Sequence, residues 1–169
     1  MIRASGFALA LLLAACAPHA GLQPLPPALA GAYDPANPFA RIVRGELPAA
    51  KVYEDRHVLA FMDNAPLTPG HVLVISKTSR ARNLLDMSPR DLARVMAVAR
   101  RIARAELVAL APDGIDGVRI MQNNGSAQSV FHLHVHVVPH RRGVWATVGT
   151  PTPLSDLQPM AARIAAALD

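Results

Sequence analysis

Val130-Phe-His-Leu-His-Val-His-Val-Val138 carries His132, His134 and His136 at every second position, with apolar residues between them. Side chains of a β-strand point to opposite faces with period two, so this alternation predicts a half-buried strand. The histidines then share one face, and Phe131, Leu133, Val135 and Val137 share the other, turned to a core. At the rise of a strand, neighbouring imidazoles stand about 6.6 Å apart. The stretch therefore predicts a strand whose back is fixed in a core and whose front is a row of imidazoles.

Working outward, Asn123-Asn-Gly-Ser126 is a turn of small polar residues, and Val118 to Gln122 before it reads as a neighbouring strand. Further upstream, Ser88-Pro89 supplies a helix cap and a first-turn proline, with Asp91 adding favourable charge. Leu92, Val95, Met96, Ala99, Ile102 and Ala103 form the expected buried stripe of a long helix that ends at Pro112-Asp-Gly114. Lys51 to Glu54, His57 to Asp63 and His71 to Ser76 read as three more strands. Phe39, Ile42 and Val43 suggest a short helix stopped by Gly45. A C-terminal amphipathic helix turns Leu157, Met160, Ile164 and Leu168 inward. Strands joined by short turns, with one long helix inserted late, indicate an α+β fold of roughly five antiparallel strands.

A chain of 169 residues, about half of them hydrophobic, suits one domain or one domain plus a tail. The formal charge of +5 comes almost wholly from scattered arginines such as Arg41, Arg90 and Arg119. Nucleic-acid recognition needs basic residues clustered on one face, so no nucleic-acid partner is expected. At the amino end, Arg3 is followed by an apolar run from Phe7 to Leu13, too short to span a bilayer but laid out as a secretory signal. Leu13-Ala14-Ala15-Cys16 resembles the lipobox of bacterial lipoproteins, in which the signal is removed before an acylated cysteine. Cys16 is the single cysteine and cannot form an internal disulfide. An ordinary signal cut after Ala17 is the alternative. We therefore expect a signal over 1–15, a Pro/Ala-rich tether over 16–36 and a folded domain over 37–169, exported and lipid-anchored on the periplasmic face of a bacterial membrane.

Three uses of the histidine row compete. Single half-buried histidines are ordinary, but three in register crowd polar groups without benefit. Two histidines at i and i+2 can chelate zinc, yet the outer pair stand about 13 Å apart, so a closed site needs His71, His140 or a carboxylate. Alternatively, the row lines an extended anionic substrate such as a phosphate chain. The central His134 is then placed as nucleophile, with its neighbours donating hydrogen bonds and protons.

His132-Leu-His134-Val-His136-Val-Val138 resembles the signature of the histidine-triad family of nucleotide hydrolases and transferases. Arg41-Ile-Val-Arg-Gly-Glu-Leu-Pro48, Val52-Tyr-Glu-Asp55, Ala60-Phe-Met-Asp63 and Pro69-Gly-His71-Val-Leu-Val-Ile-Ser-Lys77 also look like family segments, in family order. The resemblance implies that His134 attacks an α-phosphorus and forms a nucleotidyl-histidine that water then cleaves. It implies that His132 and His136 orient it and protonate the leaving group, with His71 as a fourth histidine nearby. Gln128 and Ser129 are implied at the phosphate and leaving group, Asp63 and Asn123 at the ribose, and Phe39, Ile42 and Phe61 at the base. No metal or other cofactor is implied. Family members with this arrangement dimerise through the long helix and the adjoining strand. The implied activity is hydrolysis of nucleoside phosphoramidates or related nucleotidyl conjugates; the rival is an exported nucleotide- or metal-binding lipoprotein without turnover. This chain departs from the pattern in a short loop before Gln128, where Ala127 replaces a glycine. It also has Pro38-Phe-Ala40 where relatives carry zinc-binding cysteines, and Thr78-Ser79 in place of a histidine after Lys77.

Overall fold

Asn37 starts the ordered layer that covers the histidines: its side-chain oxygen accepts from Ala40 N–H at 3.0 Å and opens the short helix α1 (Pro38–Val43). Gly45, at φ +76°, ends it in a conformation that favours glycine. The computed structural model describes residues 26, 27, 29–145 and 148–168. The signal, Cys16 and the tether up to residue 25 lie outside the described residues.

After α1 come β1 (Lys51–Glu54), β2 (Val58–Met62) and β3 (Val72–Ser76), then the long helix α2 (Pro89–Ala109). The chain continues through β4 (Gly117–Met121) and β5 (His134–His140) to α3 (Leu154–Ala165). The five strands form one antiparallel sheet in the order β1-β2-β3-β5-β4, so the motif strand is inserted between β3 and β4. This is the α+β architecture expected from the sequence. Ser88 caps α2 as expected, its hydroxyl oxygen accepting from Asp91 N–H at 3.2 Å.

The sheet has two covered faces. Val58, Ala60, Met62, Val72, Val74, Val135 and Val137 pack with Val95, Ala99 and Ile102 of α2 and Ile164 of α3. Leu59, Phe61, Leu73 and Ile75 point the other way, against Phe39 of α1. Facing residues of an antiparallel pair share a face, and Leu73 pairs with His136 while Ile75 pairs with His134. That register puts His134 and His136 on the α1 side. β2 and β3, buried on both faces, are continuous apolar runs for the same reason.

The stripe of α2 is narrower than the sequence suggests. Val95, Val98, Ala99, Ile102 and Ala105 are buried, but Met96 is 39% exposed. One residue on from Val95 is about 100° around the helix, which carries Met96 off the core. Phe131, expected in the core, is only half-buried and lies under the Arg82 guanidinium.

Glu106 occupies the core stripe with neither carboxylate oxygen hydrogen-bonded. Burial pushes its pKa up to about 9, so it is a neutral acid in the fold at neutral pH. A group whose pKa is raised on folding contributes stability below its unfolded pKa, here the ordinary glutamate value, and loses it as pH rises toward the folded one. Glu106→Met should therefore raise stability at pH 8 by about 1–3 kcal/mol and flatten the decline between pH 5 and 9. Urea melts across that range check it; an unchanged pH slope would show that Glu106 is not the titrating group.

Candidate active site

Four strand ends bring the candidate residues together. Asp63 follows β2 and donates its backbone N–H to the His71 carbonyl at 3.0 Å, which aligns the end of β2 with the start of β3. His71 is set by the turn Thr68-Pro69-Gly70, in which His71 N–H reaches the Thr68 carbonyl at 3.1 Å. Gly70 has φ +96°, and a Cβ there would stand 2.6 Å from Leu110 Cδ1 and 2.8 Å from Pro139 Cγ. Only glycine fits this turn. His136 lies beside His71 on β5, and Asn123 follows β4.

The hydrogen bonds determine which ring nitrogens carry protons. His134 Nδ1 lies 2.8 Å from the His132 carbonyl, which can only accept, so Nδ1 is protonated and Nε2 keeps its lone pair. His132 Nε2 likewise donates to the Ser76 carbonyl at 3.1 Å, and its Nδ1 accepts from the Tyr33 hydroxyl at 2.8 Å. His71 Nδ1 accepts from Leu67 N–H at 3.2 Å, and its Nε2–H faces His136 Nδ1 at 3.0 Å. His136 then presents Nε2–H; the Asn123 side-chain nitrogen 3.4 Å away is itself a donor, so in this tautomer the pair makes no hydrogen bond and Nε2–H is left to a ligand.

Burial keeps these rings neutral. It holds the pKa of His132 and His136 down to about 4 and lowers those of His71 and His134. Asp63, whose carboxylate lies 3.5 Å from His71 Nδ1, pulls the other way but is outweighed. The result is a neutral imidazole at His134 whose free Nε2 lone pair is chemically suited to act as a nucleophile, beside the neutral ring of His136.

Phe39, Ile42, Phe61, Asp63, Ser129, His134 and His136 line a cavity of about 360 Å³. Phe39 meets Phe61 and His134 edge-on, with ring centroids 5.5 and 5.1 Å apart. His71 and Asn123 open on the far side of His136, where they line a second cavity with Asp63 and Arg119. The three histidines are not one strand face. β5 begins at His134, and His132 lies in the bend before it, where its ring caps the Ser76 carbonyl at the end of β3.

Gln128 is the one predicted phosphate contact displaced from the cavity wall. Gly125–Ala127 forms a single 3₁₀ turn that draws the Gln128 amide back onto the loop. Its oxygen accepts from Gly125 N–H at 3.2 Å, and its nitrogen donates to the Arg82 and Val130 carbonyls at 2.8 and 3.4 Å. Sequence reasoning missed Tyr33, and it missed the cavity wall supplied by Thr152, Leu154 and Leu157. The periodicity of α3 marks Leu157 as inward-facing, but no local signal ties it to this cavity.

Among the described residues, Asp63, His71 and His136 could hold a metal ion, with one ligand atom from each lying within 4.8 Å of the others. The two-nitrogen, one-oxygen set suits zinc, although binding would break the His71–His136 hydrogen bond.

An antiparallel sheet presenting these imidazoles to an apolar cavity defines a histidine-triad protein. The family model for the HIT domain matches residues 44–143, and the chain belongs to that family of nucleotide-binding hydrolases and transferases. It is 38% identical over 135 residues to Protein hit of Bacillus subtilis, covering 75% of this chain and 90% of that one. The crystal structure of a Hit-like protein from Bartonella henselae superposes with a TM-score of 0.77 at 43% identity, covering 82% of this chain and all of the other. Adenylylsulfatase HINT3 of Arabidopsis thaliana is 33% identical over 113 residues, 64% of this chain and 55% of that protein.

Proposed function

We propose that this protein hydrolyses nucleoside phosphoramidates or related nucleotidyl conjugates through a covalent intermediate on His134. The observation that carries this reading is the 2.8 Å hydrogen bond from His134 Nδ1–H to the His132 carbonyl, which leaves Nε2 as a free nucleophile on a ring lining the cavity. Nε2 bonds to the α-phosphorus as the bond to the leaving nitrogen breaks. The anionic substrate favours the imidazolium form of His136, which gives its Nε2 proton to the departing amine and becomes neutral. Water then attacks the nucleotidyl-histidine, its oxygen bonding to phosphorus as the bond to His134 breaks and its proton passing to His136. Phe39, Ile42 and Phe61 hold the base, Asp63 the ribose and Ser129 the phosphate. The relative named adenylylsulfatase supports a nucleotidyl conjugate as substrate class.

The test is turnover of adenosine phosphoramidate by the full chain. His134→Ala should lower kcat by at least about a thousandfold while retaining nucleotide binding. Acid-quenched mass spectrometry of the wild type should find the nucleotidyl group on His134. The grouping of Asp63, His71 and His136 favours a second reading, a metal-binding protein without turnover. Stoichiometric zinc binding by a wild type that binds nucleotide but never turns it over would establish it and defeat the hydrolase.

Two further proposals concern assembly and location. Met96, Leu107 and Val108 of α2 and Ile120 of β4 are exposed apolar residues, and β4 is an edge of the sheet. Pairing of two chains through α2 and β4 would cover both features. Leu107→Glu should then halve the mass measured by light scattering; an unchanged mass would count against this interface. The reading of Cys16 as a lipid anchor on an exported protein predicts that Cys16→Ser abolishes lipid labelling and membrane retention, and labelled Cys16→Ser protein would refute it.

A further inference from the structure

The segment ahead of α1 is bound to the domain at both ends. Arg82 Nη1 donates to the Leu29 and Ala30 carbonyls, and Asn83 Nδ2 reaches the Leu29 carbonyl at 3.3 Å. Downstream, Arg44 Nη1 donates to the Pro35 carbonyl at 2.8 Å and Asn37 Nδ2 to the Asp34 carbonyl at 2.6 Å. Between these attachments the Tyr33 ring lies against His132, with centroids 5.6 Å apart and its hydroxyl 2.8 Å from Nδ1. His132 is thus held at both nitrogens, by Tyr33 on one side and the Ser76 carbonyl on the other. Its own carbonyl receives His134 Nδ1–H.

We propose that Tyr33 is a positioning residue of the active site, its hydroxyl holding His132 as the neutral Nε2–H imidazole so that the His132 carbonyl stays aimed at His134. The effect on rate rests on the hydrolase reading; the effect on His132 does not. Donation to a neutral imidazole favours the neutral form. Without the hydroxyl, Nδ1 faces a cavity of about 270 Å³ lined also by Arg44, Thr78, Lys77 and Arg80. Water there could protonate Nδ1, placing a positive charge beside the nucleophile and making it a poorer one.

The charged groups around His132 do not replace Tyr33. Arg44 is paired with Glu46 at 2.6 Å and Lys77 with Glu54 at 2.5 Å. Both cations are taken up by carboxylates, and the hydrogen bond at His132 Nδ1 comes from the Tyr33 hydroxyl. His134, on the other side, opposes protonation of His132 when charged. Tyr33 adds the specific contact, and it belongs to the segment that leads back toward Cys16. Displacing that segment removes the hydroxyl, so its docking and the state of His132 are linked.

The experiment is Tyr33→Phe in the full chain, which keeps the ring and deletes only the hydroxyl. Nitrogen NMR of the histidine rings should show His132 as the Nε2–H tautomer in the wild type, with a higher titration midpoint in the variant. With adenosine phosphoramidate, kcat should fall about tenfold at unchanged KM, and the acid limb of its pH profile should move to higher pH. A His132 titration and pH profile superimposing on the wild type would overturn the proposal, even if the rate had fallen. If the wild type shows no turnover the hydrolase reading fails, and the NMR comparison alone decides the role of Tyr33.

Discussion

The pairing of β3 with β5 is the constraint on which the site depends. It joins residues some sixty positions apart and places the motif strand between two others, so its backbone is bonded on both edges. The register, Leu73 opposite His136 and Ile75 opposite His134, assigns the imidazoles to the α1 face. A slip of one residue would turn them into the aliphatic layer under α2 and bring Val135 and Val137 to the cavity. Such a slip would bury polar rings without partners, and unpartnered polar groups are costly in an apolar layer. The apolar half of the motif therefore fixes the position of the chemical half.

Burial then decides the charge state. Each ring of the site is pushed toward its neutral form, and the hydrogen bonds divide acceptors from donors among neutral tautomers. A row of imidazolium ions would repel itself and contain no nucleophile. A neutral row holds one lone pair at His134 Nε2 and one N–H at His136 Nε2. A phosphate entering this space would bring negative charge close to His136 and favour its protonated form. The site is thus neutral when empty and becomes a better proton donor when an anion arrives, which suits acid catalysis of leaving-group departure.

Much of this was legible because the relevant signals are local. Ser88-Pro89 marks the start of α2, the alternation in 130–138 marks the motif strand, and Gly45 marks the end of α1. What was not legible depends on partners distant in sequence. Met96 and Val98 are equally apolar, and only the packing of α2 on the sheet separates the exposed one from the buried one. Glu106 falls on the same helical stripe as Val95, Ala99 and Ile102, but a carboxylate there argues for solvent, and only the packing of α2 shows that it is buried. Tyr33 stands in a Pro/Ala-rich stretch without periodicity, so its contact with His132 across 99 positions left no pattern to read. Among the candidate site residues, His134 and His136 stand on β5 and line the cavity, whereas Gln128, on a loop, turns its amide to backbone groups.

That exception bears on how the site would hold an anion. The single 3₁₀ turn at Gly125–Ala127 commits both ends of the Gln128 amide to backbone groups, so it holds the loop rather than a ligand. The polar residues left on the cavity wall beside His134 are Ser129 and His136, with Asp63, Asn64 and Thr152 also in the lining. The rest of the wall is apolar: Phe61 and Leu73 lie beside the histidines on the same sheet face, Phe39 and Ile42 come from α1, and Leu157 closes it from α3. Such a division orients a ligand with one apolar and one anionic end without requiring many specific contacts. With fewer side-chain donors at the anionic end, contact with an anionic ligand falls more heavily on His136, whose position is set by His71 rather than by the loop.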